Sequence, residues 1–255
     1  DWGLTFKLGR APVENKTETK TFVEKVINYE KANMNINYSY INNSMSAIAF
    51  LSNYDNYLYE DSRKIIMTEY YSKIPSLNRW ILCDHYNCNN NCGKNHVSVE
   101  KDESGNGEEL NKSNFISALQ NGGNSGLDHF HLIYHMDHSS TTGMGTSSLD
   151  KNEAIRSNDV DKLGNGNYYP IIISGGCFPA DITKDCIAEH FLNKMPGGAV
   201  AFLGNTDSGY KSEHIQFGGL LGELYKTSSN HTNRYDLSIL HNKALMCKKF
   251  ESDNC

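Results

Sequence analysis

The sequence predicts an α/β fold in which helices cover both faces of a mostly parallel β-sheet. Short apolar runs such as 171–173 and 199–204 are continuous rather than alternating, which is typical of strands buried on both faces. Stretches with apolar residues at helical spacing lie between these runs, as they do in β-α-β units. The 255 residues, of which 38% are hydrophobic, are enough for one sizeable core.

The amino-terminal third is predicted to alternate strands and helices. Residues 3–8 alternate between apolar and polar side chains, as a half-buried strand does. Phe22, Val26 and Ile27 are spaced as on one helix face, and Pro75 closes the next helix because the residue before a proline disfavours helical geometry. The predicted elements are strand 3–8, helix 18–32, strand 46–52, helix 62–71 and strand 79–83.

Residues 84–109 differ in composition from the rest of the chain. They are rich in Asn, Gly, Cys and acidic residues and contain few apolar ones, which predicts a surface insertion. Three cysteines and two histidines within 83–96 could hold a zinc ion tetrahedrally, or the cysteines could form a local disulfide. Both interpretations stay open for the set Cys83, His85, Cys88, Cys92 and His96.

The remaining chain continues the alternation around one long connection, 139–169, which is rich in Ser, Gly and Asn and is predicted to hold one helical turn. Gly122 ends a helix. Asp181 is predicted to open another helix, whose apolar residues include Ile182 and Cys186. The predicted elements are helix 114–120, strand 129–134, strand 171–173, helix 181–194, strand 199–204 and helix 214–226.

Composition argues against two classes of protein. No segment approaches the roughly 20 apolar residues of a membrane-spanning helix. The net charge of −6, without a basic stripe, argues against nucleic acid as a partner. The seven cysteines are an odd number, so six could pair and leave one reactive thiol, as in a secreted or cell-surface protein. We therefore expect a secreted or cell-surface location.

Cys177 and His138 each follow a predicted buried strand. Because the carboxyl ends of parallel strands meet at one edge of a sheet, both side chains should lie at that edge. An imidazole that accepts the thiol proton activates a cysteine as a nucleophile. If Cys177 lies close to the N-terminus of the helix predicted after it, the helix dipole would favour the thiolate. The alternative interpretation is a small buried thiol and an ordinary loop histidine.

Four blocks of sequence together resemble the gingipain family of cysteine peptidases, which shares a clan with caspases and legumain. The similarity extends from the first strand to about residue 226. It implies a caspase-like α/β fold, with 1–255 as a single catalytic subdomain and with the amino-terminal subdomain of a full gingipain mostly absent. The blocks are 132–139 (LIYHMDHS), 171–177 (IIISGGC), 186–189 (CIAE) and 197–204 (GGAVAFLG).

By this resemblance Cys177 is the nucleophile and His138 the general acid/base. The oxyanion is held by the backbone N–H groups of Cys177 and Ser139, and such donors typically lower the barrier by ~3 kcal/mol each. The chain departs from the family at one of these positions. The family has Gly after the catalytic histidine, whereas this chain has Ser139, which adds a Cβ.

The resemblance also implies a substrate pocket. Asp61 falls on the position of the family's pocket Asp, and Tyr210 on that of a pocket Trp. A carboxylate in such a pocket selects Arg or Lys through charge-assisted hydrogen bonds. Asp61 can instead be read as the N-cap of the predicted helix 62–71, and Asp55 and Asp207 are competing acids.

A histidine-rich stretch offers a different interpretation, a metal-dependent hydrolase. His129 and His131 point to one face of the predicted strand, whereas His138 lies beyond its end, and no HExxH pattern is present. Loops rich in Asp and Asn supply oxygen ligands suited to a structural Ca²⁺ ion, without EF-hand spacing. The peptidase interpretation requires no cofactor. The candidate metal set is His129, His131, His135, Asp137 and His138.

We therefore predict a cysteine endopeptidase that acts on proteins or peptides through a thioester, with the dyad Cys177–His138 and a preference for Arg or Lys at P1. The alternatives are a catalytically inactive homologue that serves as a binding or adhesion module, and the metal-dependent hydrolase. The mostly absent amino-terminal subdomain is a further partner on which activity could depend.

Overall fold

The computed structural model describes residues 9–31, 38–48, 77–83, 107–145 and 153–209. The elements predicted over 3–8, 62–71 and 214–226 lie outside these ranges. In chain order the strands of the described ranges are β1 (Asn43–Ile48), β2 (Asn78–Cys83), β3 (Gly107–Glu109), β4 (Leu132–Met136), β5 (Ser139–Ser140), β6 (Gly143–Gly145), β7 (Glu153–Arg156), β8 (Ile171–Ser174) and β9 (Ala201–Gly204).

A six-stranded sheet forms the framework, and all of its neighbouring strands are parallel. The strand order is β3-β2-β1-β4-β8-β9. Every residue of the central strands β1 and β4 is buried, which explains why their sequences do not alternate. The predicted α/β class with a mostly parallel sheet is confirmed.

The apolar pattern did not predict the start of β1, because the first residues of this strand are polar. The strand begins at Asn43 rather than at the predicted residue 46. The Asn43 side chain donates to the carbonyl of His129 at 2.7 Å and accepts from the Asn78 amide at 2.9 Å. Its polar atoms are therefore paired although the residue is buried, and the strand tolerates it.

The end of the predicted surface insertion belongs to the sheet. Gly107–Glu109 forms β3, which pairs in parallel with β2 at the edge. Charged residues such as Glu108 and Glu109 are suited to an edge strand because they discourage pairing with other chains. The insertion as predicted over 84–109 is therefore too long at its carboxyl end.

The predicted connection 139–169 is more ordered than its composition suggests. It contains β5, β6 and β7, which form a separate three-stranded antiparallel sheet. Met144 and Ile155 face each other across β6 and β7 and are fully buried. This small sheet begins directly after His138 and so fixes the end of the loop that carries it.

The helices of the described ranges are α1 (Lys16–Glu30), α2 (Lys112–Asn121), α3 (Ser157–Val160) and α4 (Ile187–Asn193). The Asn15 side chain caps α1 by accepting from the N–H groups of Thr17 and Glu18. Gly122 ends α2 with φ 83°, and a Cβ there would lie 2.0 Å from the Leu127 carbonyl oxygen. None of these helices is long and apolar enough to span a membrane.

The helix predicted to open at Asp181 begins later, at Ile187. The Asp181 carboxylate accepts from the backbone N–H of Thr183 at 3.0 Å and from its hydroxyl at 2.7 Å. These bonds form a local turn that competes with the first turn of a helix. Ile182, predicted to face the core, is 56% exposed. Cys186 occupies the N-cap position instead.

Lys25 of α1 is buried against the end of α4. Its Nζ donates to the carbonyl oxygens of Phe191 at 3.0 Å, Leu192 at 2.8 Å and Ala199 at 3.2 Å. Burial, and secondarily the positive charge of Lys194, lowers the pKa of Lys25 to about 7. This side chain joins α1 to the chain around α4.

The free energy of unfolding is expected to rise above pH 7 because of Lys25. The group loses its proton near pH 7 when folded but near 10.5 when unfolded, so between these values the unfolded chain binds more protons. For this one group, linkage predicts a gain of about 2 kcal/mol between pH 7 and pH 9. Urea unfolding of the wild type and of Lys25→Met over this range measures it. An equal pH dependence in both proteins would contradict the lowered pKa.

Candidate active site

The loops that carry His138 and Cys177 leave the same edge of the main sheet. β4 and β8 are parallel neighbours, with His135 opposite Ser174. The chain then continues into residues 137–139 after β4 and into 175–177 after β8. Active sites of open α/β sheets form at this carboxyl edge.

A hydrogen bond joins the two loops. The Ser139 hydroxyl donates to the carbonyl oxygen of Cys177 at 2.7 Å. Gly176 allows this approach, because a Cβ on it would lie 2.1 Å from Ser139 Oγ and 2.7 Å from the Asp137 carbonyl oxygen. Residues 38 positions apart in sequence thus meet in space.

Cys177 is a half-buried free thiol. The Gly209 N–H donates to its Sγ at 3.3 Å, and Sγ also lies 3.7 Å from the Gly209 carbonyl oxygen. The sequence argument that a helix dipole favours the Cys177 thiolate is wrong, since the next helix begins only at Ile187. The backbone of Gly209 is the polar group that contacts the sulfur instead.

His138 has an exposed side chain on a tightly held backbone. Its N–H donates to the carboxylate of the buried Asp137, and its carbonyl oxygen accepts from the Gly145 N–H at 2.7 Å. A Cβ on Gly145 would lie 2.6 Å from that carbonyl oxygen. The side chain therefore projects from a fixed point between β4 and β5.

The Ser139 N–H points away from the β5–β6 ladder. His138 and Gly145 form a hydrogen-bonded pair, so the adjacent pair Ser139–Met144 is the non-hydrogen-bonded kind, whose N–H groups face outwards. Ser139 also does not need glycine geometry. Among the non-glycine residues of the described ranges, Phe178 alone has a positive φ. The serine at this family glycine position therefore fits without backbone strain.

The side chains of the histidine-rich stretch separate rather than converge. His129 stacks on Tyr168 at 3.7 Å between ring centroids, whereas His131 is buried and stacks on Tyr29. Burial lowers the pKa of His131 to about 4. His135 Nδ1 lies 2.9 Å from Ser174 Oγ across the strands. Within the described ranges, no three His, Cys, Asp or Glu residues form a group that could hold a metal ion.

Several predicted site residues lie outside the described residues. These include both predicted pocket residues, Asp61 and Tyr210, and the competing acid Asp55. Asp207 is described: its carboxylate accepts from Ser208 N–H and its carbonyl oxygen from Phe178 N–H. Of the zinc or disulfide set, only the backbone of Cys83 is described, at the end of β2, whereas His85, Cys88, Cys92 and His96 are outside.

The prediction that six cysteines pair is wrong, because Cys186 is free as well as Cys177. Cys186 is 1% exposed, and burial raises the pKa of its thiol.

Sequence reasoning missed Asn205 and Gly209, which contact the Cys177 loop from the loop that follows β9. Asn205 directly follows β9, so it obeys the same rule that singled out Cys177 and His138, polar residues at strand ends. Gly209 contacts the sulfur through its backbone, and no side-chain pattern marks such a role.

A family profile described as peptidase family C25 matches residues 3–246, which is most of the chain. The chain belongs to peptidase family C25. This confirms the resemblance to gingipain-type cysteine peptidases stated from the sequence blocks. None of the curated proteins gives a significant match.

Solved structures similar to this C25 chain have the same fold. One, "Crystal structure of the Arg specific cysteine proteinase gingipain R (RGPB)", has a TM-score of 0.65 and 18% identity over 95% of this chain and 49% of that one. A second is a complex of Porphyromonas gingivalis RgpB pro- and mature domains, with a TM-score of 0.60 and 17% identity over 94% and 51%. A third, titled "Structure of Protease", has a TM-score of 0.56 and 15% identity over 81% and 38%. The C25 chain therefore spans about half the length of the two RgpB chains and 38% of the third chain.

Proposed function

We propose that this C25 chain is a cysteine endopeptidase in which Cys177 and His138 form the catalytic dyad. The observation that carries the proposal is the direct bond between their loops, from Ser139 Oγ to the Cys177 carbonyl oxygen. It brings a half-buried free thiol and an exposed imidazole to one sheet edge. Membership of a cysteine peptidase family supports the same chemistry.

In the proposed first step His138 takes the proton from the Cys177 thiol. The sulfur attacks the scissile carbonyl carbon and forms the S–C bond, while the π electron pair moves to the carbonyl oxygen. Collapse of this tetrahedral intermediate breaks the C–N bond, and His138 gives its proton to the departing amine. Water then attacks the thioester carbonyl carbon while His138 accepts a water proton. The S–C bond breaks, His138 returns that proton to the sulfur, and the carboxylic acid and free thiol are released.

The oxyanion is proposed to be held by the N–H groups of Cys177 and Ser139. The antiparallel register, which turns the Ser139 N–H away from β6, supports this role. Backbone donors of this kind are preorganised, and removal of one such donor typically costs about 3 kcal/mol of barrier.

A preference for Arg or Lys at P1 is proposed through Asp61, with Tyr210 on the pocket wall. One similar structure is titled an Arg specific proteinase, and a buried carboxylate selects a basic side chain. Dependence on an amino-terminal part is also proposed, since the chain spans 51% of a similar chain from a complex of pro- and mature domains. Secretion is proposed from cysteine content, and structural Ca²⁺ from the Asp/Asn-rich loops.

The experiment that tests the function combines hydrolysis with alkylation. Peptides with Arg, Lys or Asn at P1 are incubated with the chain before and after treatment with iodoacetamide, and modified cysteines are mapped by mass spectrometry. We expect hydrolysis of the Arg and Lys peptides, lost when Cys177 is modified and Cys186 is not.

Hydrolysis that resists alkylation but stops with a chelator would favour the metal-dependent hydrolase. No hydrolysis, together with an unreactive Cys177, would favour a binding module. Equal cleavage of all three peptides would reject the pocket role of Asp61 but would leave the catalytic dyad in place.

A further inference from the structure

The loop that follows β9 is bound to the loop that carries Cys177. Asn205 Nδ2 donates to the carbonyl oxygens of Gly175 at 3.1 Å and Gly176 at 3.0 Å. In return the Ala180 N–H donates to the Asn205 carbonyl oxygen at 3.1 Å. One side chain therefore holds the two peptide units that precede the sulfur-bearing residue.

Gly209, at the far end of the same loop, contacts the sulfur itself. Its N–H donates to Cys177 Sγ at 3.3 Å. Cys177 Sγ also lies 3.7 Å from the Gly209 carbonyl oxygen, so both backbone polar groups of Gly209 contact the sulfur and fix its position.

Glycine at position 209 is required by the packing. A Cβ there would lie 2.4 Å from the Gly175 carbonyl oxygen, 2.6 Å from Asn205 Nδ2 and 2.9 Å from the Gly176 carbonyl oxygen. Any side chain would push the N–H away from Cys177.

The backbone of Phe178, next to the nucleophile, is also constrained by the loop 205–209. Its φ of 61° lies in the left-handed region that L-residues avoid. The Phe178 N–H donates to the Asp207 carbonyl oxygen at 2.9 Å. Such a conformation persists only where the surroundings determine it, and here the loop 205–209 supplies that determination.

We propose that the loop 205–209 positions the nucleophile: Asn205 is a positioning residue that holds the 175–176 backbone, and the backbone of Gly209 holds the Cys177 sulfur in place. The proposal rests on the cysteine peptidase function and adds two residues to the dyad. It concerns the free enzyme, so it can be measured without substrate.

The test is the rate of Cys177 alkylation by iodoacetamide at pH 7 in the intact chain, followed on the Cys177 peptide by mass spectrometry. The variants are Gly209→Ala and Asn205→Ala. The matched control for Gly209→Ala is Gly164→Ala, where a Cβ meets nothing within 4 Å. The matched control for Asn205→Ala is Asn193→Ala, which loses a side-chain hydrogen bond to the Pro12 carbonyl oxygen at 2.9 Å, outside the Cys177 loop. Buried Cys186 reports folding, because it stays unlabelled while the core is intact.

We expect Cys177 in both test variants to be alkylated about tenfold more slowly at pH 7 than in the wild type, with Cys186 protected. On peptide substrates kcat should fall while KM stays the same. Controls should match the wild type. If Gly209→Ala exposes Cys186, that variant has lost its fold. The result for Asn205→Ala, which adds no atoms, then decides whether the positioning role holds.

An alkylation rate equal to that of the controls in Asn205→Ala would overturn the positioning role. That result with an active wild type leaves the peptidase function intact. Slower alkylation of Cys177 in Asn205→Ala, with no hydrolysis by the wild type, would keep the positioning role and would count against the peptidase function of this chain by itself.

Discussion

Replacing Cys177 with alanine is expected to lower kcat for peptide hydrolysis by about 10⁴-fold or more. Removing the nucleophile of a comparable acyl-transfer enzyme has an effect of at least this size. The alanine has no atom that can form the thioester, and the Gly209 N–H loses the sulfur it contacts at 3.3 Å. Initial rates on Arg and Lys peptides measure the loss.

Cys186 provides the matched control, since it is the other free thiol in the described ranges. It is 1% exposed at the start of α4, whereas Cys177 is half-buried in the loop after β8. Cys186→Ala should therefore hydrolyse peptides at close to the wild-type rate, with at most a small loss of stability. The opposite pattern, with activity kept in Cys177→Ala and lost in Cys186→Ala, would sink the nucleophile assignment.

The strands of the main sheet could be predicted because burial on both faces leaves a continuous apolar run. Ile171 to Ile173 lie in β8, where the sequence indicates, and Ile172 and Ile173 are buried. Ala201 to Leu203 also form a strand as predicted, although they are only half-buried. The polar start of β1 could not be predicted in this way, because Asn43 is tolerated only through partners at Asn78 and His129, which are distant in sequence.

Local sequence patterns gave a wrong helix start where hydrogen bonds of a side chain stabilise a turn instead of a helix. The stretch after Asp181 has apolar residues at helical spacing, but its carboxylate binds Thr183 and delays the helix to Ile187. The small antiparallel sheet was missed for the converse reason. Its strands are too short to show a period, and only tertiary packing reveals that Met144 and Ile155 are buried together.

The candidate site was predictable in part. The strand-end rule puts Cys177 and His138 at one edge, and the described topology has both following neighbouring strands. The contacts that would tune them are made by backbone groups, such as the N–H of Gly209 and the carbonyl oxygen of Cys177 itself. Backbone donors carry no residue-type signature, so only the folded chain reveals them.

Replacing His138 with alanine is expected to lower kcat/KM by about 10² to 10⁴-fold, the usual contribution of a positioned general acid/base. The backbone at 138 is held independently of the side chain, by the Asp137 carboxylate and the Gly145 N–H. The substitution should therefore remove the proton carrier without moving Ser139. Progress curves on the same peptides, with unfolding midpoints for both proteins, measure it.

His129→Ala is the control that separates the dyad from the metal-site interpretation. His129 stacks on Tyr168 and pairs with Asp128 rather than facing the Cys177 loop. If the dyad performs the chemistry, His129→Ala keeps its activity and only His138→Ala loses it, while Cys177 in His138→Ala remains alkylated, at a lower rate. Equal losses in both variants, restored by added zinc, would instead require the histidines to act as one metal site. The separation of their side chains argues for the first outcome.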